Sequence, residues 1–189
     1  MTDESLSLNS EQLAEIARRL DRPLVLVGLM GVGKSTVGRR LANMLQRKFV
    51  DADEEIESAA QRSISEIFEE FGESYFRDGE RRVIARLIEE RAGVIATGGG
   101  AFVNDETRAL ILDQAVAVWI DSDIDLLVER TSRKSTRPLL KTGDPREILT
   151  RLYSQRKPFY AQAQIHVMSD TGPHEATATK ILEALDTWL

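Results

Sequence analysis

"GLMGVGKS", residues 28–35, fits the pattern G-x-x-x-x-G-K-[ST]. Before it, after Pro23, the run "LVLVG" predicts a short buried strand. After it, Val37, Leu41 and Leu45 recur every four residues and predict a helix. Strand, glycine-rich turn, helix is the context in which this pattern builds a phosphate site. Glycine lets the backbone approach a ligand closely, and the N–H groups opening the helix then face the phosphates. Lys34 is placed to reach the β- and γ-phosphates and Ser35 to meet Mg²⁺. The stretch implies a nucleotide but does not name a reaction.

Outward from it, the same alternation repeats. "FVD" is a second short strand, "GVIATGGG" a strand running into a glycine turn, "VAVWI" a fourth strand and "IHVM" a fifth. Helices are predicted over 11–20 with Ser10 as N-cap, and from Ser63 to Gly72, where Ser63 and Glu66 have capping-box spacing. Others are expected at 78–91, 107–112, 124–130, from Asp144-Pro145 to near Lys157, and at 175–188. Five strands alternating with helices argue for an α/β fold with a parallel sheet covered on both faces. "SRKSTRPLLKTGD" is the one long polar stretch without a period, a candidate lid.

Composition narrows the function. The 189 residues suit one domain, and 42% hydrophobic with 30% charged residues is an ordinary globular balance. With no cysteine, disulfides, thiolate zinc and cysteine nucleophiles are excluded. His166 and His174 are the only histidines, which argues against a histidine-rich metal site or a Ser-His-Asp triad. No apolar run reaches membrane-spanning length, and the acidic, polar "MTDESLSLNS" is neither a signal nor a transit peptide, so the expected compartment is the cytoplasm. The net charge is −6, yet residues 130–160 hold nine Lys/Arg against two acids, leaving −13 on the rest. Such an island suggests a local anion site. It lacks interleaved aromatics before Tyr153, so nucleic acid is not the expected partner.

The acids Asp51 and Asp53, in "KFVDADEEIE", stand two apart at the end of the second strand. One reading is a solvated helix start. The other begins from the usual P-loop requirement for an Asp at a strand end near Mg²⁺. Asp51 and Asp121 both qualify, and pattern alone does not choose between them. If 51–53 were extended, the two carboxylates would share a face about 7 Å apart, one beside a metal and one beside an acceptor hydroxyl. "TGGGA", residues 97–101, is either a tight turn or a bare backbone surface for a small polar substrate. Arg77 stands amid acids, Arg137 beside Pro138 in the candidate lid, and Arg156 at a helix end.

Taken together and in order, "GLMGVGKSTVGRRLA", "FVDADEEIE", "SISEIFEEFGESYFRDGE", "VIATGGGA", "RPLL" and "RKPFY" resemble shikimate kinase, from about Pro23 to the C-terminus. The resemblance implies a P-loop, nucleoside-monophosphate-kinase-like fold: a five-stranded parallel sheet flanked by helices, with a lid segment. It implies transfer of the γ-phosphoryl of ATP to the 3-hydroxyl of shikimate, toward chorismate and the aromatic amino acids. It further implies that Gly31, Val32, Gly33, Lys34, Ser35 and Thr36 bind the ATP phosphates. Lys34 would stabilise the transferred charge, and Ser35 and Asp51 would serve one Mg²⁺ per subunit. Asp53 would bind the shikimate hydroxyls and accept the proton. Arg77 and Arg156 would hold the carboxylate, with Gly99 touching the substrate by its backbone. Arg137 would close on the phosphates, and Arg130 would lie near the adenine. A monomer without membrane or nucleic-acid partners is expected, with residues 1–21 as a helical extension of a kinase domain at 22–189. The resemblance puts "SDTGPHEA" on the adenine side, with no role assigned to its individual residues.

Two alternatives remain. A kinase of another hydroxylated acid, such as gluconate, is weakened by the joint presence of Arg77, the glycine triplet and Arg156. A binding module without catalysis is weakened by Lys34, Ser35, Asp53 and Arg137 together.

Overall fold

Leu24–Val27 (β1) lies at the centre of a five-stranded sheet of order β2-β3-β1-β4-β5, every neighbouring pair parallel. The other strands are Phe49–Asp51 (β2), Val94–Ala96 (β3), Val116–Asp121 (β4) and Ile165–Met168 (β5). The computed structural model describes residues 8–133, 140 and 142–189. β1, β3 and β4 are buried along their whole length, as strands covered on both faces must be. β5, at an edge, alternates instead: Ile165 and Val167 point inward, His166 and Met168 outward.

The covering helices are Ser10–Arg19 (α1), Lys34–Met44 (α2), Ala52–Ala60 (α3), Ile64–Glu89 (α4), Asp105–Gln114 (α5), Ile124–Ser132 (α6), Pro145–Tyr160 (α7) and His174–Trp188 (α8). β1 pairs with β3 on one side and β4 on the other, so the chain reverses its strand order there. That switch point opens a crevice at the carboxyl ends of the strands, the usual ligand position in such sheets. In register, Asp51 stands beside Ala96 and Leu26 beside Ala96, so the turns leaving β1, β2 and β3 converge.

Three local expectations change. The N-cap of α1 is Asn9, not Ser10. Asn9 Oδ1 accepts from Gln12 N–H and Gln12 Oε1 accepts from Asn9 N–H, both at 2.9 Å. The helices expected at 63–72 and 78–91 run together as α4, broken only at Gly72 (φ 82°, ψ 174°). Arg77 therefore sits inside a helix. Finally, 51–53 is not extended: Asp51 caps α3, and Asp53 lies in its first turn. The first helix is no loose appendage. Its Ile16 and Leu20 are buried in the main core, and Arg47 donates to the α1 carbonyls of Ala17 (2.8 Å) and Leu20 (2.6 Å).

Candidate active site

The crevice is a cleft of about 610 Å³ lined by the P-loop, by Asp51 and Asp53, by Thr97 to Gly99, and by Arg130, Arg133 and His174. The P-loop backbone takes positive φ at Gly28, Gly31 and Gly33 (140°, 86° and 95°), which an L side chain resists. Gly33 caps α2 without any side-chain bond, leaving the front of the helix to a ligand. The Lys34 ammonium lies over the loop, donating to the carbonyls of Gly28 (2.7 Å) and Leu29 (2.9 Å). Thr36 lines the cleft one turn in.

Asp51 works in two directions. Its Oδ2 accepts from the Ser35 hydroxyl at 2.7 Å, and its Oδ1 accepts from the Asp53 N–H at 3.0 Å. The helix-start reading and the strand-end reading of this acid thus describe the same side chain. Asp121 faces elsewhere. Its carboxylate lies 3.0 Å from His166 Nε2, accepts from the Tyr153 hydroxyl at 3.3 Å, and does not line the cleft. Between the two candidates, only Asp51 stands beside the P-loop.

The glycine triplet explains the other end of the cleft. A Cβ on Gly98 would lie 3.0 Å from Asp53 Oδ1, one on Gly99 2.9 Å from Arg156 Nη1, and one on Gly100 on the Arg77 guanidinium. None of the three has a positive φ. Each of these glycines thus lets one charged group lie against the backbone, and a side chain there would push that group aside. The tight-turn and bare-surface readings are both partial: the surface is bare because charges already press on it.

Two buried residues support this end of the cleft, one holding Arg77 and one the glycine turn, and sequence reasoning missed both. Glu80, only 1% exposed, accepts from Arg77 Nη1 at 2.7 Å. Burial pushes its carboxyl pKa up, against the pull of Arg77. Tyr160, also buried, donates to the Gly99 carbonyl at 2.5 Å; burial raises its hydroxyl pKa, and Arg156 opposes that rise. Burial raises the Asp53 pKa as well, and Asp51 raises it further, while Lys34 and Arg77 oppose. The spacings Arg77/Glu80 (i, i+3) and Arg156/Tyr160 (i, i+4) were available signals, since such residues share a helix face. At the opposite end of the cleft Arg130 donates to the carbonyls of Val32 (3.3 Å) and Asp170 (2.9 Å). Arg133 and His174 also line the cleft; His174 belongs to the "SDTGPHEA" segment expected on the adenine side, and Arg133 was not singled out. Arg137 lies outside the described residues.

The shikimate kinase family pattern matches residues 30–186, most of the chain. A shikimate kinase of Novosphingobium aromaticivorans is 61% identical over the full length of both chains. The chain belongs to the shikimate kinase family. A shikimate kinase of Brucella canis is 46% identical, covering 98% of this chain and 94% of its own. Among solved structures, the shikimate kinase from Acinetobacter baumannii in complex with shikimate superposes with a TM-score of 0.83 at 36% identity, covering 93% of this chain and 96% of that one. A gluconokinase from Sinorhizobium meliloti, at 18% identity and a TM-score of 0.62, shares the fold. As a shikimate kinase, the chain is an enzyme that uses ATP as co-substrate. No described helix is long and apolar enough to cross a membrane.

Proposed function

We propose that the cleft divides its work between a phosphate half and an acceptor half. The observation that carries this reading is the glycine triplet with Asp53, Arg156 and Arg77 set against it one by one. Gly31 to Thr36 cradle the ATP phosphates, with Lys34 drawn to the charge on the transferred group. Arg77 and Arg156 take the shikimate carboxylate, since a guanidinium matches a planar carboxylate with paired N–H bonds. Gly99 lies under the substrate. The 3-hydroxyl oxygen attacks the γ-phosphorus, the bond to the β-γ bridging oxygen breaks, and the hydroxyl proton passes to Asp53. Arg137 is assigned to the phosphates and Arg130 to the adenine side. A cytoplasmic monomer with residues 1–21 as an N-terminal helical extension of the kinase domain completes the reading.

The residues present also fit Mg²⁺. Ser35 Oγ and Asp51 Oδ2 are hard oxygen donors already 2.7 Å apart. No cluster of three or more His, Asp or Glu able to hold a metal occurs among the described residues. That suits an ion which takes one or two protein ligands and fills its shell with phosphate and water. Bound there, Mg²⁺ supplies charge neutralisation on the phosphoryl oxygens. Asp51→Asn is expected to raise the Mg²⁺ concentration for half-maximal rate by about tenfold, the scale of a lost metal-shell group. Asp121→Asn should leave it unchanged. A Mg²⁺ titration of both variants checks this, and a shift confined to Asp121→Asn would reverse the assignment.

The direct test is ADP release with Mg-ATP and shikimate, gluconate or water as acceptor. Turnover with shikimate alone is expected. Gluconate as the better acceptor would overturn the reading.

A further inference from the structure

Tyr160 is enclosed at the end of α7, yet its hydroxyl holds a part of the cleft wall. The residue is 1% exposed, and its oxygen donates to the Gly99 carbonyl at 2.5 Å. Its ring rests against Trp119 of β4, with centroids 5.9 Å apart. Gly99 lines the cleft, and a Cβ there would lie 2.9 Å from Arg156 Nη1. Arg156 stands four residues before Tyr160 in α7, on the same helix face. One helix thus approaches the same glycine twice, by a guanidinium and by a phenol.

Between these two side chains lies Pro158. Proline has no N–H, so the Ser154 carbonyl loses the helix bond it would receive, and the ring crowds that carbonyl. The helix ladder is interrupted where Arg156 and Tyr160 sit, and an outside anchor has most to contribute there. The phenol supplies one. Arg108 of α5 supplies another. It donates to the carbonyls of Phe102 (3.3 Å) and Val103 (3.1 Å), just after the turn, and to Gln162 Oε1 (3.2 Å), just past α7. A trans peptide held by its carbonyl also has its N–H direction fixed. Tyr160 therefore sets the facing of the peptide that joins Gly99 to Gly100.

We propose that Tyr160 is a positioning residue for the acceptor: its hydroxyl fixes the glycine turn and Arg156 in the mutual arrangement that binds shikimate. The inference rests on Gly99 and Arg156 serving the acceptor.

Steady-state kinetics of Tyr160→Phe test it. Phenylalanine keeps the ring on Trp119 and leaves the Gly99 carbonyl without its donor. The shikimate KM is expected to rise by on the order of tenfold, the scale of an orphaned buried carbonyl. The kcat should stay within about threefold, because the groups being positioned bind substrate and transition state alike. ADP affinity, read by calorimetry, should not change. Tyr153→Phe is the comparison. It removes a hydroxyl from the same helix that faces Asp121 at 3.3 Å instead of the turn, and should leave the shikimate KM unchanged. Arg156→Ala should raise that KM at least as much as Tyr160→Phe. A lower melting temperature of Tyr160→Phe with an unchanged shikimate KM would overturn the proposal, since the bond would then serve the scaffold alone. So would an equal KM rise in Tyr153→Phe, because any loosening of α7 would then suffice. An unchanged KM in Arg156→Ala would instead overturn the reading of the acceptor half.

Discussion

Asp53→Asn is expected to lower kcat by about 10²–10⁴-fold, the range for a lost proton acceptor, while ADP affinity changes little. The backbone argument favours a clean substitution. The Asp53 N–H that Asp51 accepts is unchanged in asparagine, so the start of α3 and the Ser35–Asp51 pair stay in place. What is lost is the carboxylate facing the acceptor. Burial and Asp51 hold its pKa above that of an ordinary aspartate. A raised carboxyl pKa in the fold means the folded state binds the proton more tightly than the unfolded one. The stability this contributes is complete below the unfolded pKa and is lost as pH rises through the folded value. At neutral pH the charged Asp53 therefore costs stability, and Asp53→Asn should melt at a higher temperature than wild type, with the gain vanishing in acid. In the wild type, kcat should fall with decreasing pH, starting above the ordinary aspartate range. Loss of ADP binding with intact shikimate binding would contradict the assignment.

Arg77→Ala should be the most damaging substitution for the scaffold. It strands Glu80, 1% exposed, without the guanidinium 2.7 Å away. An uncompensated buried charge costs about 3–5 kcal/mol. For a chain of this size that lowers the melting midpoint by on the order of 10 °C. Shikimate affinity should fall by about thirtyfold or more as half of the carboxylate clamp disappears. The double variant Arg77→Ala/Glu80→Gln separates the two effects. Removing both charges should recover much of the lost stability, leaving only the cost of a neutral buried amide without its partner. Shikimate affinity should stay low. Glu80, already pushed up by burial, takes a proton more readily without Arg77, so the deficit of the single variant should shrink toward acid pH. Melting curves and shikimate titrations of the three proteins decide this. A double variant as unstable as Arg77→Ala would show that the pair is not the source.

The sheet was legible because its strands are mostly apolar and the turns after β1 and β3 carry glycine. The P-loop was legible because its pattern is tied to the strand before and the helix after. The Asp51/Asp53 pair was legible as two acids at the cleft but not in its geometry. An acid at a strand end followed by more acids is also an N-cap, and the helix took Asp53 away from the strand direction. The choice of Asn9 over Ser10 turned on the third residue onward: Gln12 can return a hydrogen bond to Asn9, whereas Leu13 cannot return one to Ser10. Glu80, Tyr160 and His174 were not singled out because their meaning lies in what the fold brings against them, the glycine turn after β3 or the face of the P-loop.

The glycine turn after β3 has a consequence for inhibitor design. A compound seated on the main chain of Gly98 to Gly100 would rest on a surface whose mutation also disturbs the charged groups beside it. A side chain introduced there would press on Asp53, Arg156 or Arg77, the groups assigned to the natural substrate. Drug escape at these positions would carry a loss of enzyme fitness, whereas the opposite wall of the cleft, formed by side chains, leaves resistance a freer path.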